Sequence, residues 1–168
     1  MLRLRPPLPT DEAAFRAGHA QMGAEGFAFG LGLDPGMNWP EYLVLLSDRR
    51  AGLNLPERHV PSTFLVAQAG DQLVGRVSIR HQLNEFLLRE GGHIGYGVLP
   101  AHRRRGYATE ILRQSLIIAR SLGIGRVLVT CNNDNAGSIA VIESCDGAFD
   151  SEVPGIPGAP PIRRYWID

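Results

Sequence analysis

The stretch from Gly92 to Leu122 most constrains how this chain can fold. It begins with a short apolar run, Ile94 to Leu99, which is typical of a strand and breaks at Pro100. A basic turn follows, with the sequence His102-Arg103-Arg104-Arg105-Gly106. Residues with helical spacing come next, and these apolar or small positions are Ala108, Ile111, Leu112, Ser115, Leu116, Ala119 and Leu122. The order predicts a strand, an arginine-glycine turn and a helix that stops at Gly123.

The arginine-glycine turn has the properties of an anion site. The first N–H groups of a helix have no intrahelical partner, and the helix dipole adds partial positive charge there. Gly106 lets a ligand approach the main chain closely, and the arginines supply mobile charge. A phosphate or pyrophosphate is the natural occupant, and a solvated basic loop that caps the helix is the alternative. The chain contains neither lysine nor G-K-[ST], which excludes a Walker loop, and it lacks the G-x-G-x-x-G of dinucleotide-binding folds.

Composition limits the remaining classes of protein. A length of 168 residues with 44% hydrophobic and 20% charged residues predicts one folded domain, residues 1–168. The formal net charge of zero argues against a general affinity for nucleic acid or for a membrane surface. Cys131 and Cys145 are too few for a disulfide framework or a zinc site, so no metal is expected. The chain has no signal-peptide pattern and no run of about 18 apolar residues, so we expect a cytoplasmic protein.

The other periodic segments predict an α+β sandwich. Helices are expected after Thr10, from Trp39 and from Ser138, and a helical turn is expected within 80–90. Besides the strand at 94–99, the expected strands are 2–5, 63–69, 73–79, 126–131, 148–153 and 162–167. Together they predict a mixed, mostly antiparallel sheet of about six or seven strands with helices on both faces.

Two motifs carry a resemblance to a known family. Arg103-x-x-Gly106-x-Ala108, entered from a strand that ends at Val98-Leu99-Pro100, resembles the acyl-CoA signature R/Q-x-x-G-x-G/A of the GCN5-related N-acetyltransferases (GNAT). Asn135-x-x-Ser138 is similar to the family's second mark, an asparagine followed three positions later by a small residue. The resemblance extends from about Thr63 to Phe149. It implies a GNAT-type fold and an acetyl-CoA-dependent N-acetyltransferase in which an amine attacks directly in a ternary complex.

The resemblance also implies which residues bind coenzyme A. They are Tyr96, Gly97, Val98, Arg103, Arg104, Arg105, Gly106, Tyr107, Ala108, Asn135 and Ser138. The backbone of the strand would meet the pantetheine arm, although an ordinary core strand is the alternative. Strand alternation places Ile94, Tyr96 and Val98 on one face and His93, Gly95 and Gly97 on the other. Asn135 would bond the pantetheine through its side chain, with a helix N-cap as the equally weighted alternative.

The catalytic groups are less clearly marked. Acetyl transfer needs a deprotonated amine, a donor to the developing oxyanion and a proton for the leaving thiolate. Many family members carry a tyrosine seven residues after the asparagine, and this chain has Ile142 there. The candidate acids and bases are Tyr96, Glu85 and His93, followed by Glu143 and Cys145. The missing tyrosine motivates a second hypothesis, a catalytically silent acyl-CoA-binding or sensor module.

The acceptor stays open at this stage. A small-molecule amine, an amino acid, a peptide N-terminus and a protein lysine all fit the sequence. Alternating apolar residues between Phe27 and Leu33 are compatible with a partly hydrophobic acceptor pocket and equally with a core-packing loop. A nucleic-acid-binding domain built on Arg103 to Arg105 is disfavoured by the zero net charge. The resemblance further implies a homodimer.

Overall fold

A computed structural model describes all residues from 1 to 168. Its strands and helices, in chain order, are β1 (Leu2–Arg5), α1 (Glu12–Gly23), α2 (Trp39–Ala51), β2 (Ser62–Ala69), β3 (Gln72–Arg80), β4 (Ile94–Val98), α3 (Tyr107–Ser121), β5 (Val127–Asn132), α4 (Ala136–Glu143), β6 (Ala148–Val153) and β7 (Ile162–Ile167). Short 3-10 turns occur at Pro9–Asp11 and Pro100–His102, and a π-helical turn occurs at Leu87–Gly91. The predicted α+β class with seven strands is confirmed.

The strands form two antiparallel sheets, ordered β1-β2-β3-β4 and β5-β7-β6. The sheet that the sequence predicts as one is therefore divided between β4 and β5. The two halves are joined at His93, whose N–H donates to the Leu128 carbonyl at 2.7 Å. No strand ladder continues from this junction along β4, so a gap opens between β4 and β5.

Helices cover both faces of the strands, as predicted, and each face has its own core. On one face α3 contributes Ile111, Leu112 and Leu116 to an 18-residue cluster that also includes Val77 and Ile94. On the other face α1 and α2 enclose an 11-residue cluster rich in aromatic side chains. Burial of apolar surface on both faces holds the four-stranded sheet in place between the helices.

Local sequence explains where α3 begins and ends. Pro100 follows β4, and Gly106 precedes α3 in the left-handed region with φ of 77°. Gly123 has φ of 83°, also left-handed, and ends the helix as the sequence predicts. Gly106 offers no side chain that could cap the helix. The N-terminal amides of α3 therefore face outward from the arginine turn without a capping partner.

The start of α1 differs from the expectation at Thr10. The carboxylate of Asp11 accepts hydrogen bonds from Arg5 Nη1 at 2.6 Å and from the Leu8 N–H at 2.7 Å. These bonds fold Pro9–Asp11 into a 3-10 turn, so the helix begins at Glu12. No helix of the structure combines the length and the apolar character that crossing a bilayer requires.

Candidate active site

One edge of β4 is free of strand pairing. The Leu99 N–H donates to the Val74 carbonyl at 2.9 Å, and the Arg80 N–H donates to the His93 carbonyl at 2.7 Å. Because antiparallel pairing alternates along a strand, these bonds orient the main-chain groups of Tyr96 and Val98 away from β3. Their N–H groups point into the gap before β5, where no strand can accept from them.

Side chains alternate across β4 as predicted. Tyr96 packs against the cluster under α3, on the face of Ile94. Gly97 faces the other way, where an added Cβ would lie 2.6 Å from the ring of Phe27. Glycine at this position therefore allows the ring of Phe27 to lie directly on the strand.

The arginine turn presents a run of unpaired main-chain donors. The N–H groups of Arg104, Arg105 and Gly106 donate to no acceptor in the protein, and the first amides of α3 follow them. The guanidinium groups of Arg104 and Arg105 take part in no ion pair. Free amides, a helix N-terminus and two unpaired cations at one place give the chemistry of a phosphate or pyrophosphate site.

The side chain of Arg103 has a different environment from its two neighbours. Its Nε donates to the Val98 carbonyl at 3.1 Å, and its Nη2 lies 2.5 Å from Glu25 in an ion pair. The guanidinium therefore ties the turn to β4 and to the segment after α1. Its charge is largely balanced by Glu25, so the anion-binding capacity rests on the main chain and on Arg104 and Arg105.

Tyr96 carries a buried hydroxyl group that lacks a partner. Its oxygen is shielded from solvent and makes no hydrogen bond within the protein. Burial raises the pKa of Tyr96 to about 12, an effect that the nearby Ser138 partly offsets. The two hydroxyls nevertheless do not form a hydrogen bond of ordinary geometry. An unsatisfied buried hydroxyl is costly, which marks this point beside the gap as a place for a ligand atom.

The start of α4 lies at the same gap. The side-chain oxygen of Asn135 accepts from the Ser138 N–H at 3.0 Å, as a helix N-cap does. The side-chain amide of Asn135 is exposed and donates to no protein group. Ile142 is only 1% exposed and belongs to the core, so this position supplies no proton donor to the gap.

His93 bridges the two half-sheets. Its Nδ1 accepts from the Leu128 N–H at 2.9 Å, which requires a neutral ring with the proton on Nε2. Burial, and then the nearby Arg80, lowers the pKa of His93. A neutral ring held in this way donates from Nε2 and has no free nitrogen to accept a proton.

The other candidate acids and bases are two exposed carboxylates and one buried thiol. Glu85 is exposed and lines a separate surface depression of about 510 Å³ between Arg58 and Glu90, which no residue of β4 or of the arginine turn contacts. Glu143 is also exposed and accepts from the Tyr165 hydroxyl at 3.4 Å. Cys145 is buried, and its thiol faces the Thr109 carbonyl at 3.8 Å.

Sequence reasoning missed two arginines beside the gap. Arg76 and Arg80 lie on the face of β3 opposite to Val77 and Ile79, and Arg76 is only 4% exposed. Two cations four residues apart, in a strand whose other residues are mostly apolar, were the available signal. Such a pattern is unusual, because buried cations are normally paired.

The bridge at His93 makes stability depend on pH. Because the folded pKa is lowered, the unfolded chain binds the proton more readily, and the free energy of unfolding falls as pH drops below the ordinary value of about 6.5. His93→Asn should weaken this dependence, since its side-chain oxygen replaces Nδ1 and does not titrate. Urea unfolding at pH 5 to 8 measures it. His81, whose pKa burial also lowers, remains in both proteins as an internal reference. Equal slopes in the two proteins would contradict the prediction.

Comparisons with known proteins agree with this geometry. The profile of the acetyltransferase (GNAT) family matches residues 33–146. A comparison with curated proteins gave no match. Among solved structures, MccE, a microcin C7 self-immunity acetyltransferase solved with acetyl-CoA and AMP, has a TM-score of 0.70 at 14% identity, covering 99% of this chain and 91% of that one.

Two further structures have the same fold. A GNAT acetyltransferase from Streptococcus pneumoniae has a TM-score of 0.68 at 15% identity, covering 99% of this chain and 98% of that one. Spermidine N-acetyltransferase from Vibrio cholerae, solved with CoA and spermine, has a TM-score of 0.66 at 18% identity, covering 99% and 94%. Because the family profile spans residues 33–146, well over half of the sequence, the chain belongs to the acetyltransferase (GNAT) family.

Proposed function

We propose that this protein is an acetyl-CoA-dependent N-acetyltransferase in which an amine attacks directly within a ternary complex. The observation that carries the proposal is a path of unpaired main-chain donors. It begins at Tyr96 and Val98 on the free edge of β4 and continues through the arginine turn to the N-terminus of α3. An amide-rich arm that ends in a diphosphate matches such a path in both chemistry and order.

The proposal assigns each part of the cosubstrate to residues of this chain. The amides from Arg104 to Ala108, with the guanidinium groups of Arg104 and Arg105, hold the diphosphate. The free edge of β4 and the side-chain amide of Asn135 hold the pantetheine. The thioester supplies an activated acetyl group. MccE solved with acetyl-CoA and spermidine N-acetyltransferase solved with CoA support this choice of cosubstrate.

Two groups of the protein promote the transfer. An N–H of β4, at Tyr96 or Val98, stabilises the negative charge that develops on the acetyl oxygen. The Tyr96 hydroxyl, which keeps its proton up to a pKa of about 12, protonates the leaving thiolate. The amine loses its proton to solvent. Alignment of the two substrates in the gap supplies much of the remaining rate enhancement.

A second candidate function is a silent acyl-CoA-binding or sensor module. Ile142, buried at the position where many relatives have a tyrosine, favours it. The two functions share the cosubstrate site and differ in turnover.

Calorimetry with acetyl-CoA, followed by thiol release across a panel of amines, tests both candidates. We expect binding well below about 1 mM and amine-dependent release of CoA. No binding at about 1 mM would remove both functions. Binding of acetyl-CoA without thiol release for any amine would favour the silent acyl-CoA-binding or sensor module over the transferase.

Substitutions at Asn135 separate its two roles. Asn135→Ser retains a neutral N-cap but loses the amide donor, whereas Asn135→Ala loses both. The alanine variant should therefore lose about 1 kcal/mol of unfolding free energy and the serine variant little. Both should bind acetyl-CoA about 3- to 10-fold more weakly, the value of one hydrogen bond. Urea unfolding and calorimetry measure the two effects, and wild-type affinity in Asn135→Ser would mean that Asn135 only caps α4.

A further inference from the structure

Two arginines lie beside the candidate active site without any acidic partner. Arg76 and Arg80 share one face of β3 with Ser78, and the opposite positions on β4 are Gly97, Gly95 and His93. Neither arginine takes part in any ion pair of the structure. Burying a cation without a counter-ion is costly, so both need an explanation.

Contacts within the protein account for Arg76. Its guanidinium donates to the carbonyl oxygens of Phe29 at 3.0 Å, Ala28 at 2.6 Å and Gly95 at 2.9 Å. It also stacks on the ring of Phe27, with its central carbon 4.5 Å from the ring centroid. Arg76 thus fastens the segment after α1 to β4, and carbonyl dipoles replace water around its charge. Its positive charge itself remains uncompensated.

Arg80 has no such set of partners. A single hydrogen bond, from Nη1 to the Gly91 carbonyl at 3.2 Å, connects it to the protein. Nε and Nη2 donate to no acceptor, although burial lowers the pKa of this guanidinium. The group is only partly buried, so a ligand can reach it.

The position of Arg80 relates it to the reacting end of the gap. An added Cβ on Gly95 would lie 3.0 Å from Nη1 and 3.4 Å from Nη2, so the guanidinium lies directly against this glycine. Gly95 is the residue before Tyr96, whose N–H opens onto the gap. A side chain at position 95 would crowd the guanidinium of Arg80.

We infer that Arg80 binds the carboxylate of the acceptor, and that the acceptor is a small amine bearing a carboxylate, such as an α-amino acid. The inference rests on the proposed acetyl transfer. A guanidinium offers two parallel N–H groups that match the two oxygens of a carboxylate. The short span between an α-amino group and its carboxylate suits the one-residue separation of Gly95 and Tyr96. Polyamines, by contrast, would place positive charge against Arg76 and Arg80.

Matched acceptors test this inference. Methionine, phenylalanine and glutamate are each compared with the corresponding α-amide, and spermidine is added as a polycation. With the wild type we expect kcat/KM for at least one amino acid to exceed that of its α-amide by 10-fold or more. Arg80→Gln should lower kcat/KM for that amino acid by about 100-fold and leave its α-amide unchanged. Arg80→Lys keeps the charge but loses the two parallel N–H groups. Its kcat/KM for the amino acid should lie between those of the wild type and Arg80→Gln.

Two controls isolate the contact. Arg89→Gln removes a neighbouring cation that is 57% exposed and paired with Glu90, and it should change kcat/KM by less than about 2-fold. The thermal midpoint of Arg80→Gln should be no lower than that of the wild type, and its acetyl-CoA affinity should be unchanged.

Several outcomes would overturn the inference while acetyl transfer stands. The first two are equal kcat/KM for amino acids and their α-amides, and a higher kcat/KM for spermidine than for any amino acid. The others are an equal loss of kcat/KM for both acceptors in Arg80→Gln, and acetylation of other amines but of no amino acid. Failure of acetyl-CoA to bind, or of every amine in the wider panel to release thiol, would instead remove the proposed transfer and this inference together.

Discussion

Replacing Tyr96 with phenylalanine is expected to lower kcat by about 100-fold or more without destabilising the protein. General acid catalysis by a positioned group contributes roughly 10²- to 10⁴-fold to enzymatic rates. The pKa of about 12 keeps the hydroxyl protonated at every pH at which the protein would be assayed. Without this proton donor, the leaving thiolate must take its proton from solvent, which is not positioned for the transfer.

The stability of Tyr96→Phe distinguishes a catalytic hydroxyl from a structural one. The hydroxyl makes no hydrogen bond within the protein, so its removal breaks none and eliminates an unsatisfied polar atom. The free energy of unfolding should stay equal or rise. Steady-state kinetics and urea unfolding of the same preparation measure both quantities.

Tyr42→Phe is the matched control. Tyr42 is fully buried in the aromatic cluster, and its hydroxyl donates to the Leu31 carbonyl at 3.3 Å. Its removal should cost about 1 kcal/mol of stability and leave kcat unchanged. The two tyrosines are thus expected to respond in opposite ways. A wild-type kcat in Tyr96→Phe would assign the thiolate proton to another donor.

Gly106→Asp is expected to weaken acetyl-CoA binding by about 100-fold relative to Gly106→Asn. A carboxylate roughly 5 Å from a diphosphate charge, at an effective dielectric constant of about 20, is opposed by about 3 kcal/mol. Each 1.4 kcal/mol is about a factor of ten in affinity. Repulsion from the two charges of the diphosphate is therefore more than enough for a loss of affinity of about 100-fold. Calorimetry at low and high salt measures the difference, which should shrink as ionic strength rises.

The asparagine variant controls for shape and backbone strain. An added Cβ at Gly106 meets no atom within 4 Å, and both substituents must adopt the left-handed φ of 77°. Both can cap α3, and the aspartate also interacts favourably with the helix dipole by about 0.3–1 kcal/mol. Without ligand, Gly106→Asp should therefore be the more stable variant although it binds acetyl-CoA less well. Equal dissociation constants would show that no anion occupies this turn.

Local patterns in the sequence predicted the scaffold around the site. The helical spacing from Ala108 to Leu122, with Pro100 before it and Gly123 after it, predicted α3 to within one residue at each end. The Pro/Gly loop from Pro154 to Pro161 separates two segments that were predicted as strands, and β6 and β7 have the predicted bounds. These features depend on neighbours a few residues away, which is why periodicity and turn residues are sufficient.

Long-range contacts determined what the sequence did not reveal. The ion pair of Arg103 joins it to Glu25, 78 positions away, and so removes one arginine of the turn from the free charge. Arg80 has no acidic partner and the Tyr96 hydroxyl has no hydrogen-bond partner. Both facts depend on residues distant in the sequence, so no local pattern could predict them. The N-cap of Asn135 was one of two roles that the sequence suggested, because the cap partner, Ser138, lies only three residues away.

The divided sheet would make the proposed cosubstrate a structural part of the protein. Between β4 and β5 the bound pantetheine would take the place of a missing strand and connect the two sheets. A ligand present at about 100 times its dissociation constant adds about 2.7 kcal/mol to folding stability. That exceeds the effect of most single substitutions on stability. The concentration of acetyl-CoA would therefore control the folding stability of this protein as well as its rate of catalysis.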